Sequence, residues 1–364
     1  MTTISSDHEL TQFLHAGRAI LDVRAPVEFH QGTAPGGVNH PLLNNDERAA
    51  VGTTYKLEGP EAAMNLGHRL IAGEVLEQRV KAWTDFFKIN PDGAVMCFRG
   101  GQRSQLTQKE LQRRGISIPR IDGGFKRVRS FLTDRLNSSC EEKKFRVLAG
   151  FTGSGKTEVL REIKDKPVFD LEKAARHRGS SFGTWSVEQP SPVDFENHLG
   201  LTASMWATHS GPIWTEDESR SIGRLVLPKK LFEVMQASPV FILERPRSER
   251  SERLTAEYLH ENYGFIDGST PTEPLSEKLR LDIRRALTNI ERRLGGLETR
   301  NLLLLTEEAM TRFSKNGRFE EHWAWVEILL EKYYDPLYEY HLSKISDRVI
   351  GQGPVEEFLA LANT

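Results

Sequence analysis

The stretch Gly150-Phe-Thr-Gly-Ser-Gly-Lys-Thr157 constrains the fold of this chain more than any other. Its pattern is a glycine, four positions, then Gly-Lys-Thr, and it carries meaning only with a strand ahead and a helix behind. Phe145-Arg-Val-Leu-Ala149 is an apolar run in front, and Glu158-Val-Leu-Arg-Glu-Ile163 continues as a helix. Gly150, Gly153 and Gly155 let the backbone around Ser154 turn its N–H groups inward. The following helix presents its positive end, and Lys156 adds a point charge. A di- or triphosphate is the natural guest. Thr157 then offers its hydroxyl to a Mg2+ that shares the phosphate oxygens. Gly211-Pro-Ile-Trp-Thr-Glu-Asp-Glu218 puts three acids after a short apolar piece. One of them would hold the ion through water, with Asp217 as the candidate and Glu216 and Glu218 still open.

At 364 residues the chain exceeds a typical single core, and the loop near position 150 leaves a whole domain in front of it. The expected divisions are an N-terminal domain over 1–136, an α/β phosphate-loop domain over 145–270 and a helical C-terminal region over 271–364. The polar stretch 137–144 is the expected boundary. A net charge of −2 argues against indiscriminate coating of nucleic acid, while leaving room for a local basic face. No apolar run reaches the roughly 20 residues of a membrane span. Met1-Thr-Thr-Ile-Ser-Ser-Asp7 lacks the basic and apolar regions of a signal peptide, so a cytoplasmic protein is expected. No metal cluster is expected.

In the N-terminal part, Arg18-Ala-Ile-Leu-Asp-Val23 reads as a short buried strand, followed by turn-formers Pro26, Gly32, Pro35, Gly36 and Gly37. A helix starts at Asn44–Ala50, and helical periodicity runs through 61–88 on Leu66, Leu70, Val80, Trp83 and Phe87. Gly93-Ala-Val-Met-Cys97 then leads into Phe98-Arg-Gly-Gly-Gln-Arg-Ser104 and a helix over 105–114. A thiol between strand and helix meets the helix's positive end, which lowers its pKa and makes Cys97 a nucleophile. Gly100, Gly101 and Gln102 allow a cradle of N–H groups beside Arg99, and Arg103 can fork onto an oxyanion. Cys140, in a hydrophilic stretch, reads as an incidental surface thiol. Basic residues between Cys97 and Arg135 face only Glu110, Asp122 and Asp134. The cluster Lys126, Arg127 and Arg129 beside Gly123-Gly124 is dense enough to expect polyanion contact.

Beyond the phosphate loop, Pro167-Val-Phe-Asp-Leu171 reads as the next strand, which completes a parallel α/β unit. His177-Arg178 opens a polar segment of the kind that serves as a mobile substrate loop. Pro239-Val-Phe-Ile-Leu243 is a further strand. The arginines of Glu244–Arg253 alternate with acids and read as self-paired on a helix. Residues 279–294 place Leu279, Ile283, Leu287, Ile290 and Leu294 on one helical face, with Arg284 and Arg285 on a basic outer surface. His322 to Tyr340 is aromatic-rich, suited to core packing, and is expected to break at Pro336.

The string Asp22-Val-Arg24, Glu28-Phe29, Gly32 and Pro35-Gly36, with the Cys97 loop and Gly123-Gly124, resembles a rhodanese domain. The expected fold class is therefore α/β throughout: a rhodanese-like domain with a parallel sheet, then a P-loop NTPase-like α/β domain with a helical C-terminal extension. Adding Asn45-Asp-Glu-Arg48, Tyr55-Lys56, Asp170-Leu-Glu172, His177-Arg-Gly-Ser180, Glu216-Asp-Glu-Ser-Arg220 and Tyr333-Tyr-Asp-Pro336, the whole chain resembles the bacterial tRNA 2-selenouridine synthases. That resemblance implies replacement of sulfur by selenium at the wobble 2-thiouridine of tRNA. It implies selenophosphate as donor, taken up at Cys97 and passed on as a perselenide, and S-geranylation of the thiouridine from geranyl diphosphate at the phosphate loop. The partner implied is the tRNA anticodon arm, with Lys126, Arg127, Arg129, His177, Arg178, Arg284 and Arg285 as candidate contacts. Two other readings remain. Cys97 to Ser104 also fits the Cys, five residues, Arg-Ser pattern of Cys-dependent phosphatases, although Met96 stands where those usually have His. An RNA or nucleotide kinase with a binding-only N-terminal domain is the third. The residues alone do not separate ATP, GTP and a prenyl diphosphate as guest.

Overall fold

The structure is a computed structural model and describes residues 2–163, 166–177 and 188–363. Two compact units emerge: one runs up to Glu141 and includes Pro190–Thr208, and the other holds Glu142–Gln189 and everything from His209 on.

The first unit is built on a parallel five-stranded sheet. Its strands are β1 (Thr3–Ile4), β2 (Ile20–Asp22), β3 (Gly37–Asn39), β4 (Ala94–Met96) and β5 (Arg120–Ile121), in the order β1-β5-β4-β2-β3. Side chains alternate across a strand, so the two central strands feed two separate cores. Ile20, Ala94 and Met96 pack with Leu10, Phe13 and Phe131 on one face. Leu21, Val95 and Cys97 pack with Val80, Trp83, Phe87 and Leu111 on the other. Burial on both faces is the mark of a parallel sheet sandwiched between helices. Asn44 caps the helix Asn45–Glu58, with Glu47 reaching back to its backbone. The periodicity over 61–88 resolves into two helices, Pro60–Leu70 and Glu74–Ile89, separated at Gly73.

Two sequence expectations change here. The helix Gly124–Glu142 runs through most of the polar stretch 137–144, which turns Leu136, Ser139 and Cys140 inward. Cys140 is therefore buried, not a surface thiol. The helix Pro192–Met205, expected in the phosphate-loop domain, belongs to the first unit. Thr33 and this helix exchange two hydrogen bonds, Thr33 N to Asp194 Oδ1 at 2.7 Å and Asn197 Nδ2 to Thr33 O at 2.7 Å.

The second unit carries β6 (Phe145–Gly150), β7 (Val168–Phe169), β8 (Ile213–Glu216), β9 (Ser221–Ile222), β10 (Leu225–Val226), β11 (Val240–Leu243) and β12 (Val349–Gly353). The main sheet is parallel, in the order β12-β11-β6-β8-β7, while β9 and β10 form a separate antiparallel pair. The phosphate-loop strand β6 is thus central, flanked by β11 and β8. Leu148, Val159, Leu160, Trp214, Phe241 and Phe358 form the core around it. Residues 271–364 are not helical to the end, because β12 returns to the sheet edge beside β11 and Phe358 of the last helix enters that core. Helices Arg247–Tyr263, Glu273–Leu294, Gly296–Asn316 and Trp323–Leu329 share a second apolar core around Leu259, Ile283, Phe313 and Trp325.

Pro336 does not break its helix. A π turn over Leu330–Tyr334 precedes Asp335–Lys344, so Pro336 falls in a first turn where its missing N–H costs no bond.

Candidate active site

In the first unit, β4 ends in the fully enclosed Met96, and the chain then wraps around Cys97 before the helix Gln102–Arg113 begins. Cys97 is 3 % exposed, its Sγ 3.3 Å from Ser104 Oγ, so the thiol sits on the floor of the loop. Gly124 has φ +57, and a Cβ there would lie 2.2 Å from Cys97 O. That glycine lets Phe125 N donate to Cys97 O at 2.9 Å and Lys126 N to Phe98 O at 3.0 Å, which pins the loop from below.

Arg103 is held by Glu28 in a two-pronged pair, Nη1–Oε2 at 2.6 Å and Nη2–Oε1 at 3.1 Å. Burial works against the Arg103 charge, but the Glu28 bonds outweigh it and raise its pKa. Burial likewise pushes Glu28 up, and Arg103 more than reverses that, leaving Glu28 below its ordinary value. Behind them Arg24 bonds Asp22 at 2.7 Å, both buried, and stacks 3.9 Å over the Phe125 ring. Arg99 and Gln102 are exposed at the rim. The loop is a braced cradle with a thiol at its base.

In the second unit, Gly153 and Gly155 both have φ +83. A Cβ on Gly153 would meet Leu254 Cγ at 2.8 Å, and one on Gly155 would meet Arg253 Nη2 at 2.8 Å, so helix Arg247–Tyr263 packs directly on the loop. Lys156 Nζ folds back to donate to Gly150 O at 2.7 Å. Ser154 Oγ is buried with no hydrogen-bond partner among the described residues. An orphaned hydroxyl of that kind, inside a ring of glycines, fits an anionic guest. The loop opens on a cavity of about 700 Å³ lined by Lys156, Thr157, Glu172, Asp217, Tyr338 and His341, among others.

The acids divide their duties. Thr157 Oγ1 bonds Glu172 Oε2 at 3.0 Å. Glu216 accepts the backbone N–H groups of Leu171 and Glu172 at 3.1 and 3.2 Å. Asp217 accepts from Tyr338 OH and pairs with His341 Nε2, each at 2.8 Å. Burial pushes Asp217 up, yet these two partners hold its carboxyl below the usual range. The Asp217 hydrogen bond raises His341. Burial raises Glu216 well above its ordinary value, helped by Glu172 and Asp170, and raises Glu218 to about 8. Among the described residues no group of three or more His, Cys, Asp or Glu is arranged as a metal cluster. Thr157 with Glu172 does fit a Mg2+ that takes its other ligands from phosphate and water. The geometry thus favours Glu172 over Asp217 as the acid beside Thr157, because Asp217 is committed to Tyr338 and His341.

The arginines of 244–253 serve the loop as well as themselves. Arg245 Nε donates to Ser154 O at 3.0 Å, and Arg250 Nη1 to Thr152 O at 3.1 Å. Arg250 also forms a buried pair with Asp335 at 2.8 Å. Charge alternation alone reads as local pairing and conceals this. Tyr338, His341 and Asp335 come from a segment that periodicity marks only as aromatic packing.

The expected tRNA contacts are placed as follows. Lys126 is exposed, whereas Arg127 pairs with Asp7 at 2.9 Å and Arg129 bonds Glu196 and Asn197. Arg284 and Arg285 are exposed on their helix, paired with Glu307 and Asp282 at 3.3 and 3.8 Å. His177 lies against the turn between β9 and β10, with Cδ2 2.8 Å from where a Gly223 Cβ would be. Arg178 and the rest of the expected mobile segment to Gly183 lie outside the described residues. No helix among the described residues is long and apolar enough to cross a membrane.

Residues 143–364 match the family model described as the tRNA 2-selenouridine synthase AAA domain. A tRNA 2-selenouridine synthase of Shewanella pealeana is 41 % identical over 346 residues, covering 95 % of this chain and 94 % of that one. Those of Marinobacter nauticus and Pseudomonas fluorescens are each 42 % identical, covering 93 % and 91 % of this chain and 92 % and 90 % of their own lengths. With the phosphate-loop half matched by the family model and more than nine-tenths of the chain by these relatives, the chain belongs to the tRNA 2-selenouridine synthase family, a family of enzymes.

Proposed function

We propose that this enzyme replaces sulfur by selenium in wobble 2-thiouridine of tRNA, in two steps that use its two loops in turn. The observation that carries the reading is the pairing, in one chain of this family, of a thiol cradle at Cys97 with a phosphate loop whose Ser154 hydroxyl has no partner among the described residues. At the phosphate loop, the thiocarbonyl sulfur attacks C1 of geranyl diphosphate and diphosphate leaves. Lys156, released from Gly150 O, and the loop N–H groups take up the charge that develops on the leaving group. Mg2+, held by Thr157 and Glu172, would supply further charge neutralisation when bound. Alkylation is what makes the sulfur a leaving group, since it then departs as a thiol.

In the second step selenium from selenophosphate attacks C2 and geranylthiol leaves. Counted in atoms, selenophosphate, water and the S-geranyl nucleoside give selenouridine, phosphate and geranylthiol, with no change in oxidation state. Storing selenium as a perselenide on Cys97 would need a two-electron oxidant. We therefore assign Cys97 to acting on selenophosphate within its cradle, with Arg99, Gly100, Gly101, Gln102 and Arg103 around the tetrahedral anion. The N-terminal unit is read as rhodanese-like, the anticodon arm of tRNA as the macromolecular partner, and the cytoplasm as the place of action. Nucleoside mass analysis of tRNA from cells lacking the protein tests the reading: selenouridine and geranylthiouridine should both vanish while thiouridine persists. Unchanged selenouridine would refute it. ATP hydrolysis that tracks selenium transfer, with geranyl diphosphate irrelevant, would replace the prenyl guest by a nucleotide.

A further inference from the structure

A second cavity adjoins the phosphate loop. Thr152, Leu254 and Tyr334 line both it and the phosphate cavity, so the two adjoin along these side chains. Beyond them the wall is Leu259, Ile283, Trp325, Val326, Leu329 and Leu330, all buried in the helical core. Most polar groups on this wall have partners of their own, while His322 Nε2 is buried with none among the described residues. Trp325 Nε1 donates to His322 Nδ1 at 3.0 Å, Thr255 Oγ1 to Ser251 O at 2.8 Å, and Tyr258 OH meets Tyr263 OH at 3.3 Å. Burial lowers the His322 pKa to about 4, so the ring is uncharged at neutral pH. Apart from that imidazole nitrogen, what the wall offers a guest is hydrocarbon. A nucleobase entering it would leave most of its own donors and acceptors unmatched, at a cost that polar burial makes large.

We infer that this apolar cavity receives the hydrocarbon chain of a short allylic diphosphate whose phosphates sit on Gly150–Thr157, and that Ile283 helps set the chain length accepted. The inference rests on the reading of the phosphate loop as a prenyl diphosphate site. Its space is small, about 70 Å³, under half that of a roughly 150 Å³ cavity that holds benzene, so about one isoprene unit enters as the side chains stand and each added unit is harder to admit. A hydrophobic pocket discriminates by roughly 10–200-fold per methylene that does or does not fit. This gives the helices behind the phosphate loop a role in specificity that the loop alone cannot supply.

The test is a chain-length series on the full-length protein: inorganic diphosphate, then dimethylallyl, geranyl and farnesyl diphosphates, measured by calorimetry with Mg2+ present. Affinity should rise at least about 10-fold for each isoprene unit that enters, then stop rising by farnesyl. Ile283→Phe should erase most of the gain over inorganic diphosphate while leaving inorganic diphosphate affinity within about two-fold. Ile283→Ala should move the preference toward farnesyl. Should the wild-type protein bind all four alike, the cavity is a packing void and the inference falls, even if geranyl transfer still proceeds. Variants that bind inorganic diphosphate normally but leave the series unchanged would sink it equally. If no member of the series binds and ATP does, the prenyl reading of the loop fails and takes this inference with it.

Discussion

The Cys97 loop and the phosphate loop are both glycine-bent turns between a parallel strand and a helix, yet they are furnished in opposite ways. Around Cys97 the inner cations have anions set against them, Arg103 with Glu28 and Arg24 with Asp22, while Arg99 stands exposed at the rim. The braces come from the end of β2 and from the turn and short helix Pro26–His30 that follow it. Around the phosphate loop the cations Lys156, Arg245 and Arg250 donate to backbone carbonyls of the loop itself, while acids gather on the opposite wall. Apart from Lys156, those supports arrive from about ninety to one hundred and ninety residues downstream, from Arg245, from helix Arg247–Tyr263 and from Tyr338 and His341. The first loop is a cradle of fixed charge around a thiol. In the second, Lys156 is parked on the Gly150 carbonyl, ready to turn onto a guest, while Arg250 is also tied to Asp335.

If that division is right, Cys97→Ser has the largest effect and affects one step only. Selenium incorporation should fall to background while S-geranyl-thiouridine accumulates, read by mass analysis of digested tRNA. Loss of both products would mean that the thiol also serves alkylation. Lys156→Ala should slow geranyl transfer by on the order of 10²–10³, the usual cost of removing one charge stabiliser from a reacting site. A change under ten-fold would place the developing charge elsewhere.

The contrast also explains what the sequence made legible. Both loops were readable because spacing along the chain encodes backbone geometry: a glycine at each bend, a lysine or thiol at a fixed offset. The strands β6, β7 and β11 were readable from apolar runs bounded by turn residues. Glu172, Tyr338 and His341 lay in segments with no local signal for chemistry, since what brings them to Thr157 and Asp217 is tertiary packing. Charge alternation in 244–253 fits local pairing as well as it fits a loop-facing arginine row, and only the position of that helix against Gly153 and Gly155 decides between them. Pro336 misled because a proline signals a helix break unless a π turn precedes it. The return of Val349–Gly353 to the sheet was hidden because a five-residue strand after a long helical region carries a weak pattern.

A smaller effect tests the downstream supports. Arg250→Ala leaves Asp335 buried without its partner, which should cost about 3–5 kcal/mol of stability, seen as a lower urea midpoint. A loss under 1 kcal/mol would show that Arg247, which also reaches Asp335, carries the pair.

The acidic wall should reveal itself through pH. The Glu218 carboxyl is raised from 4.5 to about 8 in the folded protein, so between those values the folded state holds more protons than the unfolded one. Stability contributed by the neutral form is therefore present in full below 4.5 and is lost as pH rises toward 8. Glu218→Gln should flatten that slope in thermal melts taken without divalent cation. An unaltered slope would remove Glu218 as its source. The smallest effect is expected on the exposed helix face, where Arg285→Ala should change stability by under about 0.5 kcal/mol. If it contacts tRNA phosphate, the salt dependence of binding should weaken by about one unit of slope.

The central claim is that alkylation at one loop precedes and enables selenium delivery at the other, and rescue of Lys156→Ala measures it most directly. Given 2-thiouridine tRNA, geranyl diphosphate and selenophosphate, this variant should make little selenouridine. Given tRNA that already carries S-geranyl-thiouridine, it should convert it at close to the wild-type rate, provided Cys97 is intact. Failure of pre-geranylated tRNA to restore selenouridine would contradict the division of labour between the two loops.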